Sequence, residues 1–154
     1  MITQRTVNGR WEPVTGRVFR LCGAPRSWQG RLLAAVLDAG DGAVATGRSG
    51  AALWRVAGYG MREPEVLVAR PGDHRPPIGI LHETRHLPPH HVTAQQGVPV
   101  VTPARLMVDL AAIERPQRLE RAIDNAIAAS ILTPEALAIA VAELATGAAR
   151  APRS

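Results

Sequence analysis

Apolar residues along the chain recur with three different spacings. Residues 10–21 (RWEPVTGRVFRL) hold two short runs of apolar and basic residues around the turn pair Thr15-Gly16, which predicts a β-hairpin with Pro13 at an edge. Ser27 stands where it caps a helix over Trp28–Ala39, in which Leu32, Leu33, Val36 and Leu37 recur at near-helical spacing and which Gly40 ends. A short helix is expected over Ser49–Val56, carrying Leu53 and Trp54, with Gly58 and Gly60 breaking it. Glu65–Arg70 and Ile78–Arg85 then read as strands joined by a turn-rich stretch. Val98–Val101 reads as a third strand, which its Pro places at an edge or a strand start. The last third is helical. Thr102-Pro103 opens a helix to about Ile113, and Pro116 opens the next, with Leu119, Ala122, Ile123, Ala126 and Ile127 on one face. Thr133-Pro134-Glu135 opens a helix carrying Leu137, Val141 and Leu144, and Gly147–Ser154 reads as a disordered tail.

These elements predict an α/β (α+β) fold: a hairpin, a helix pair, a small and mostly antiparallel sheet, and a helical C-terminal third. With 154 residues the chain fits one domain plus a small appendage. Apolar content of 46% with charged content of 20% excludes a disordered class. Aromatics are so few that the core must be built from Ala, Val, Leu and Ile. The single cysteine, Cys22, can form no internal disulfide, which fits a reducing compartment. No apolar run approaches the ~18–20 residues of a membrane span and no charged-then-apolar leader opens the chain, so a cytoplasmic protein without membrane partners is expected.

Charge changes this picture in two ways. All 18 basic residues are Arg. Without Lys there is no phosphate-binding G-x-x-x-x-G-K-[ST] loop, no Schiff-base amine and no standard PD-(D/E)-x-K nuclease core, and Arg does not deprotonate to replace it. A GC-rich genome would give the same Arg-only usage. The charge is also uneven. Residues 1–31 hold Arg5, Arg10, Arg17, Arg20, Arg26 and Arg31 against Glu12 alone, and the remainder is balanced.

Candidate chemistry is sparse. All five histidines fall between His74 and His91, and His82, His86 and His90 are spaced i, i+4, i+8. Pro88 and Pro89 interrupt any helix that would align them, so no metal site and no cofactor are expected. Gly47-Arg48-Ser49-Gly50-Ala51 nearly matches a G-x-S-x-G nucleophile elbow, but Val44–Thr46 is too short for the strand that the elbow needs. Ser49 reads instead as a helix N-cap. Arg105 and Asp109 form an i, i+4 pair on an otherwise apolar helix and read as structural, as a surface or inter-element salt bridge does. The basic hairpin, with Arg10, Trp11, Arg17 and Arg20, has the electrostatic footprint of nucleic-acid binding, although a solvated basic face has the same composition.

Several segments, in order, resemble the AbiEi-type antitoxin family. NGRWEPVTGRVFRL resembles the wing of its winged-helix domain, and GRSGAALW resembles its H-R-S-A-A-A-L-W stretch. LHETRHLPPHHVTAQQGVPVVTPARLMVDLAA resembles its R-x-L-P-x-x-D-V-x-x-x-x-G-[IV]-P-V-T-x-P-A-R-T-L-x-D-L-A run. The resemblance implies a partial winged helix over 1–24 and an α/β antitoxin domain over 25–146. It implies a DNA-binding regulator in a type IV toxin–antitoxin system, countering a nucleotidyltransferase-like toxin and repressing its operon. The family's recognition helices precede the wing, and here only Ile2–Asn8 stands in that place. A shortened member, or a start lying upstream, is expected, and the Vsr-like endonuclease extension of some relatives has no counterpart. A wing holds phosphate but does not read sequence alone, so the expected DNA contact is weak. The expected role is non-enzymatic, with Arg10, Trp11, Arg17 and Arg20 on DNA. The alternatives are a metal-dependent hydrolase or nuclease-related protein using the His74–His91 cluster with Asp73 or Glu83, and a truncated fragment without function.

Overall fold

A computed structural model describes residues 9–69 and 75–149. The N-terminal strands β1 (Trp11–Pro13) and β2 (Phe19–Leu21) pair antiparallel as a separate two-stranded sheet. Helix α1 (Trp28–Ala39) begins where expected, because the Ser27 hydroxyl accepts the Gly30 N–H at 3.0 Å. It stops at Gly40, whose φ of 108° no L-side chain adopts cheaply. There follow β3 (Val44–Ala45), α2 (Gly47–Leu53), β4 (Glu65–Val68), β5 (Ile80–Glu83), a 3-10 turn at Pro89–His91, β6 (Val92–Gln95) and β7 (Val98–Val101). Helices α3 (Pro103–Ala111), α4 (Pro116–Ala128) and α5 (Pro134–Ala149) complete the described chain.

The main sheet has the order β5-β4-β3-β7-β6. Its strands alternate faces with period two, and that alternation divides the core. Val44, Leu67 and Val101 point to one face and pack on Leu106, Met107 and Leu110 of α3, with α4 behind. Ala45, Val66, Val68, Val98 and Val100 point to the other face and pack on Leu32, Ala35 and Val36 of α1. An α/β fold of three layers results, with helices covering both faces of the sheet.

The structure departs from expectation at several elements, each for a local reason. The sheet is mixed: β3–β4 and β6–β7 are antiparallel, but β3–β7 and β4–β5 are parallel. The connection from β4 to β5 crosses over instead of turning back, and the chain from β3 returns to pair parallel with it only at β7, after the β6–β7 hairpin. Val44–Thr46, too short to read as a strand, supplies the middle strand β3, which its neighbours complete by pairing on both edges. Val98–Val101 is interior, not an edge. Its proline is tolerated because β3 meets β7 only at Val100, one residue past Pro99. Val92–Gln95 was not expected as a strand; it is a half-exposed edge without apolar alternation. Helix α2 begins at Gly47, with Thr46 as its N-cap, so Ser49 lies inside the helix and not at its cap. On α1, Leu37 faces out (57% exposed), and Ala34 and Ala35 take the buried positions beside Leu32 and Val36. Val141 is likewise exposed on α5, which runs on to Ala149, three residues into the expected tail. The expected strand end at Arg70 and the segment Ile2–Asn8 lie outside the described residues, as do Arg5, Asp73 and His74.

Candidate functional site

Two regions collect the residues singled out from the sequence. The first is the hairpin. Its turn residue Thr15 is buried, and the Thr15 hydroxyl donates to buried Asp38 on α1 while accepting the N–H groups of Arg17 and Val18 at 3.1 Å each. An isolated two-stranded hairpin is marginal in water, so this tie to α1 gives it a fixed place. Its arginines are not equivalent. The Arg20 guanidinium is committed to Glu12 across the pair Glu12–Arg20, its Nε donating at 2.8 Å. Arg26 also approaches Glu12, at 3.8 Å, and Arg31 bonds Glu63 at 3.0 Å. Arg10 and Arg17 are exposed and have no carboxylate partner among the described residues. Trp11 stands exposed beside them, so of the four expected DNA-contact residues three are open and Arg20 is held.

The second region is a polar cluster between the sheet and α3. Arg105, 3% exposed, is its centre. Its Nε donates to Asp109 at 2.8 Å, one terminal nitrogen donates to the His86 carbonyl at 2.8 Å, and the other donates to the Thr84 hydroxyl at 3.2 Å. The Thr46 hydroxyl completes Asp109 at 2.7 Å, tying the end of β3 to α3. The structural role expected of Arg105 and Asp109 is what these bonds describe: one i, i+4 pair joins the sheet end, a loop and a helix. Beside it the buried Glu65 carboxylate meets His82 Nε2 at 2.9 Å and lies 3.8 Å from Arg48, which donates to Glu114 at 2.8 Å. The Glu114 bond holds the Arg48 guanidinium above its ordinary pKa. Glu65 needs Gly47 next to it: a Cβ there would stand 2.2 Å from Glu65 Oε2.

Of these groups Thr46, His82, Thr84, Arg105 and Asp109 line a cleft of about 300 Å³. Ser49 offers no nucleophile to it. The serine is buried, its oxygen accepts the Glu65 N–H at 2.9 Å, and it reaches the Glu63 carbonyl at 3.4 Å. A strand, a sharp turn and a helix do surround Gly47-Arg48-Ser49, as an elbow would have, but they lock Glu65 instead of presenting a hydroxyl.

The histidines separate. His82 joins Glu65, while Glu83, its expected acid partner, turns outward to Arg75 at 2.7 Å. The His86 ring packs against Gly147 of α5. His90 and His91 both meet Glu143. The i, i+4, i+8 set is therefore not assembled. Sequence reading missed Glu65, Glu114 and Glu143, although each is an acid in an otherwise apolar or Pro-marked stretch, the one available sign of a buried partner. Among the described residues no helix is long and apolar enough to cross a membrane. Compared with protein-family models and with curated proteins, the chain matches none.

Proposed function

We propose that this chain is an antitoxin-like, DNA-binding regulatory protein of a type IV toxin–antitoxin system, acting in the cytoplasm, repressing its operon and countering a nucleotidyltransferase-like toxin. The observation that carries the DNA part is the hairpin. Arg10 and Arg17 are unpaired by carboxylates among the described residues, Trp11 is exposed beside them, and Thr15–Asp38 fixes the ribbon on the body. Arg forks suit phosphate oxygens, and a ribbon of this size touches backbone without reading bases. The antitoxin part rests on the motif stretch, whose Arg105 and Asp109 are consumed in holding the fold together, as expected of a binding scaffold.

The test is duplex binding at low salt by the full chain and by a variant carrying Arg10→Ala and Arg17→Ala. Affinity should fall at least ~10-fold in the double variant, each phosphate contact being charge-assisted. Arg20→Ala should cost less, because Glu12 already holds that side chain. Equal affinity in the double variant and the parent protein rejects the reading. Co-purification with a nucleotidyltransferase encoded beside the gene tests the partner separately.

One observation favours a second, hydrolytic reading: a buried carboxylate orients a part-exposed imidazole, Glu65 and His82, at the wall of a 300 Å³ cleft. Such a pair is the base-and-orienter half of many hydrolytic sites. Hydrolysis of generic ester or phosphodiester substrates that disappears in His82→Ala would favour it over the regulatory reading.

A further inference from the structure

A third group of side chains adjoins the second region through Arg105. His90 and His91 sit on the 3-10 turn Pro89–His91, which Pro88 and Pro89 preset and which two backbone bonds hold: His91 N–H to the Pro88 carbonyl and Thr102 N–H to the His91 carbonyl, both 2.9 Å. The two rings lie edge to face, with centroids 4.7 Å apart and an interplanar angle of 75°. That arrangement lets both Nε2 atoms reach one atom, Glu143 Oε2 on α5, at 2.8 Å each. A nitrogen from each imidazole and an oxygen of the carboxylate lie within 4.8 Å of one another. We propose that His90, His91 and Glu143 form a three-ligand site for one zinc-class divalent ion, its fourth coordination position open to the neighbouring apolar cleft.

Ligand chemistry, spacing and surroundings each support this. Two imidazoles and a carboxylate select borderline transition ions over Mg²⁺ or Ca²⁺, which take oxygen sets. Tetrahedral zinc with bonds of ~2.0–2.2 Å needs ligand atoms ~3.3 Å apart. The present 2.8 Å contacts must therefore open by about half an ångström and the two imidazole nitrogens, within 4.8 Å of each other, must settle to the same spacing, which side-chain torsions on the turn and on α5 provide. Three protein ligands leave a position for water or substrate, the pattern of reactive rather than purely structural zinc sites. Beside the triad runs a cleft of about 290 Å³ between α3 and α5, walled by Pro103, Ala104, Ile131, Ala136 and Ile139. An ion there would have an apolar wall on one side and solvent, through the exposed His90, on the other.

The site carries a cost that the structure also specifies. An Arg105 terminal nitrogen lies 3.3 Å from His91 Nδ1. Arg only donates, so in the metal-free protein Nδ1 accepts and Nε2 carries the proton that Glu143 receives. An ion on Nε2 moves that proton to Nδ1, and the Arg105 contact is given up. It is the longest of the Arg105 hydrogen bonds, and the same nitrogen keeps the His86 carbonyl at 2.8 Å.

The experiment titrates the full, tag-free, chelator-stripped chain with Co²⁺, reading the visible absorption of tetrahedral cobalt, and then displaces it with Zn²⁺. One equivalent of Co²⁺ should give an intense spectrum that Zn²⁺ abolishes. His90→Ala and Glu143→Gln should each weaken binding at least ~10-fold, and Glu120→Gln, at an exposed position of α4, should leave it unchanged. His90 is largely exposed, so its replacement leaves the fold intact, which circular dichroism checks. No saturable cobalt spectrum, or equal affinity in the parent protein and His90→Ala, overturns the proposal.

Discussion

Gly47 shows how one residue can be fixed by both backbone and neighbour. Its φ is +57°, and the space where a Cβ would stand holds the Glu65 carboxylate. Gly47→Ala should therefore cost ~2–4 kcal/mol, the sum of a left-handed backbone and a displaced buried charge. Gly97, at φ +77° with nothing within 4 Å, meets only the first cost, and its Ala variant should lose ~1 kcal/mol. Denaturant midpoints of the two variants give the comparison. Tyr59, the one tyrosine, is a second singular residue. Its hydroxyl is buried without a hydrogen-bond partner, and Arg118 lies over the ring at 4.8 Å. Burial raises the phenol above its ordinary 10.0, the Glu114 carboxylate adds to the rise, and the Arg118 and Arg48 guanidinium groups oppose it. The folded state thus keeps its proton where the unfolded chain loses one. The Tyr59 contribution to stability is whole below pH 10 and declines as pH rises through the elevated pKa. Phenolate absorbance of the native protein should titrate above the denatured value; coincident curves would contradict this.

At the scale of elements, α3 connects the layers. Its apolar side (Leu106, Met107, Leu110) packs on the sheet, and Arg105 and Asp109 fasten the ends of β3 and β5. Removing Arg105 leaves Asp109, Thr84 and a carbonyl partly unpaired in a near-dry setting. Arg105→Ala should lose ~3–5 kcal/mol, well above the few tenths of an exposed i, i+4 pair. Thermal or denaturant unfolding decides, and a loss under ~1 kcal/mol would return the pair to the surface class. The same helix shows what was legible in the sequence. Thr102-Pro103 marks its start, and the two charges within an apolar run mark a buried pair. Likewise Ser27 and Gly40 bound α1, and Thr133-Pro134 opens α5, because each cap is a local bond. The strands β3 and β6 were not legible: β3 has two residues and takes its pairing from β4 and β7, distant in the chain, and β6 is a half-exposed edge whose residues carry no alternation. The same applies to the site: His90 and His91 were visible as histidines, but Glu143 joins them only because α5 returns across the turn.

For the whole molecule, the N-terminal excess of arginine is smaller in space than in sequence. Glu12 neutralises Arg20 and faces Arg26, and Glu63 holds Arg31. Among the described residues this leaves Arg10 and Arg17 without a carboxylate partner, while Arg26 shares Glu12 with Arg20. If these make two phosphate contacts, the salt dependence of duplex binding should change by close to two in log–log slope when both become Ala, at ~0.9 per contact. A parent slope near zero would remove electrostatic DNA binding altogether. The absence of Lys could be read from composition, but the pairing of each arginine depended on which acid the fold brings opposite.

Strand β3 also sets an order of assembly. The strands on either side of it form two half-sheets, β5-β4-β3 and β7-β6, and the halves are joined through a single register pair, Ala45 with Val100, residues separated by 55 positions in the chain. The β6–β7 half turns at Gln96-Gly97 and closes locally, so its ordering costs little loop entropy. The seam must wait until residue 101 is available and until α1 and α3 are present to grip both halves. The two halves therefore join late, and the amide of Ala45, the β3 residue registered with Val100, should gain exchange protection after that of Thr46, which donates to the Glu65 carbonyl within the β4 half.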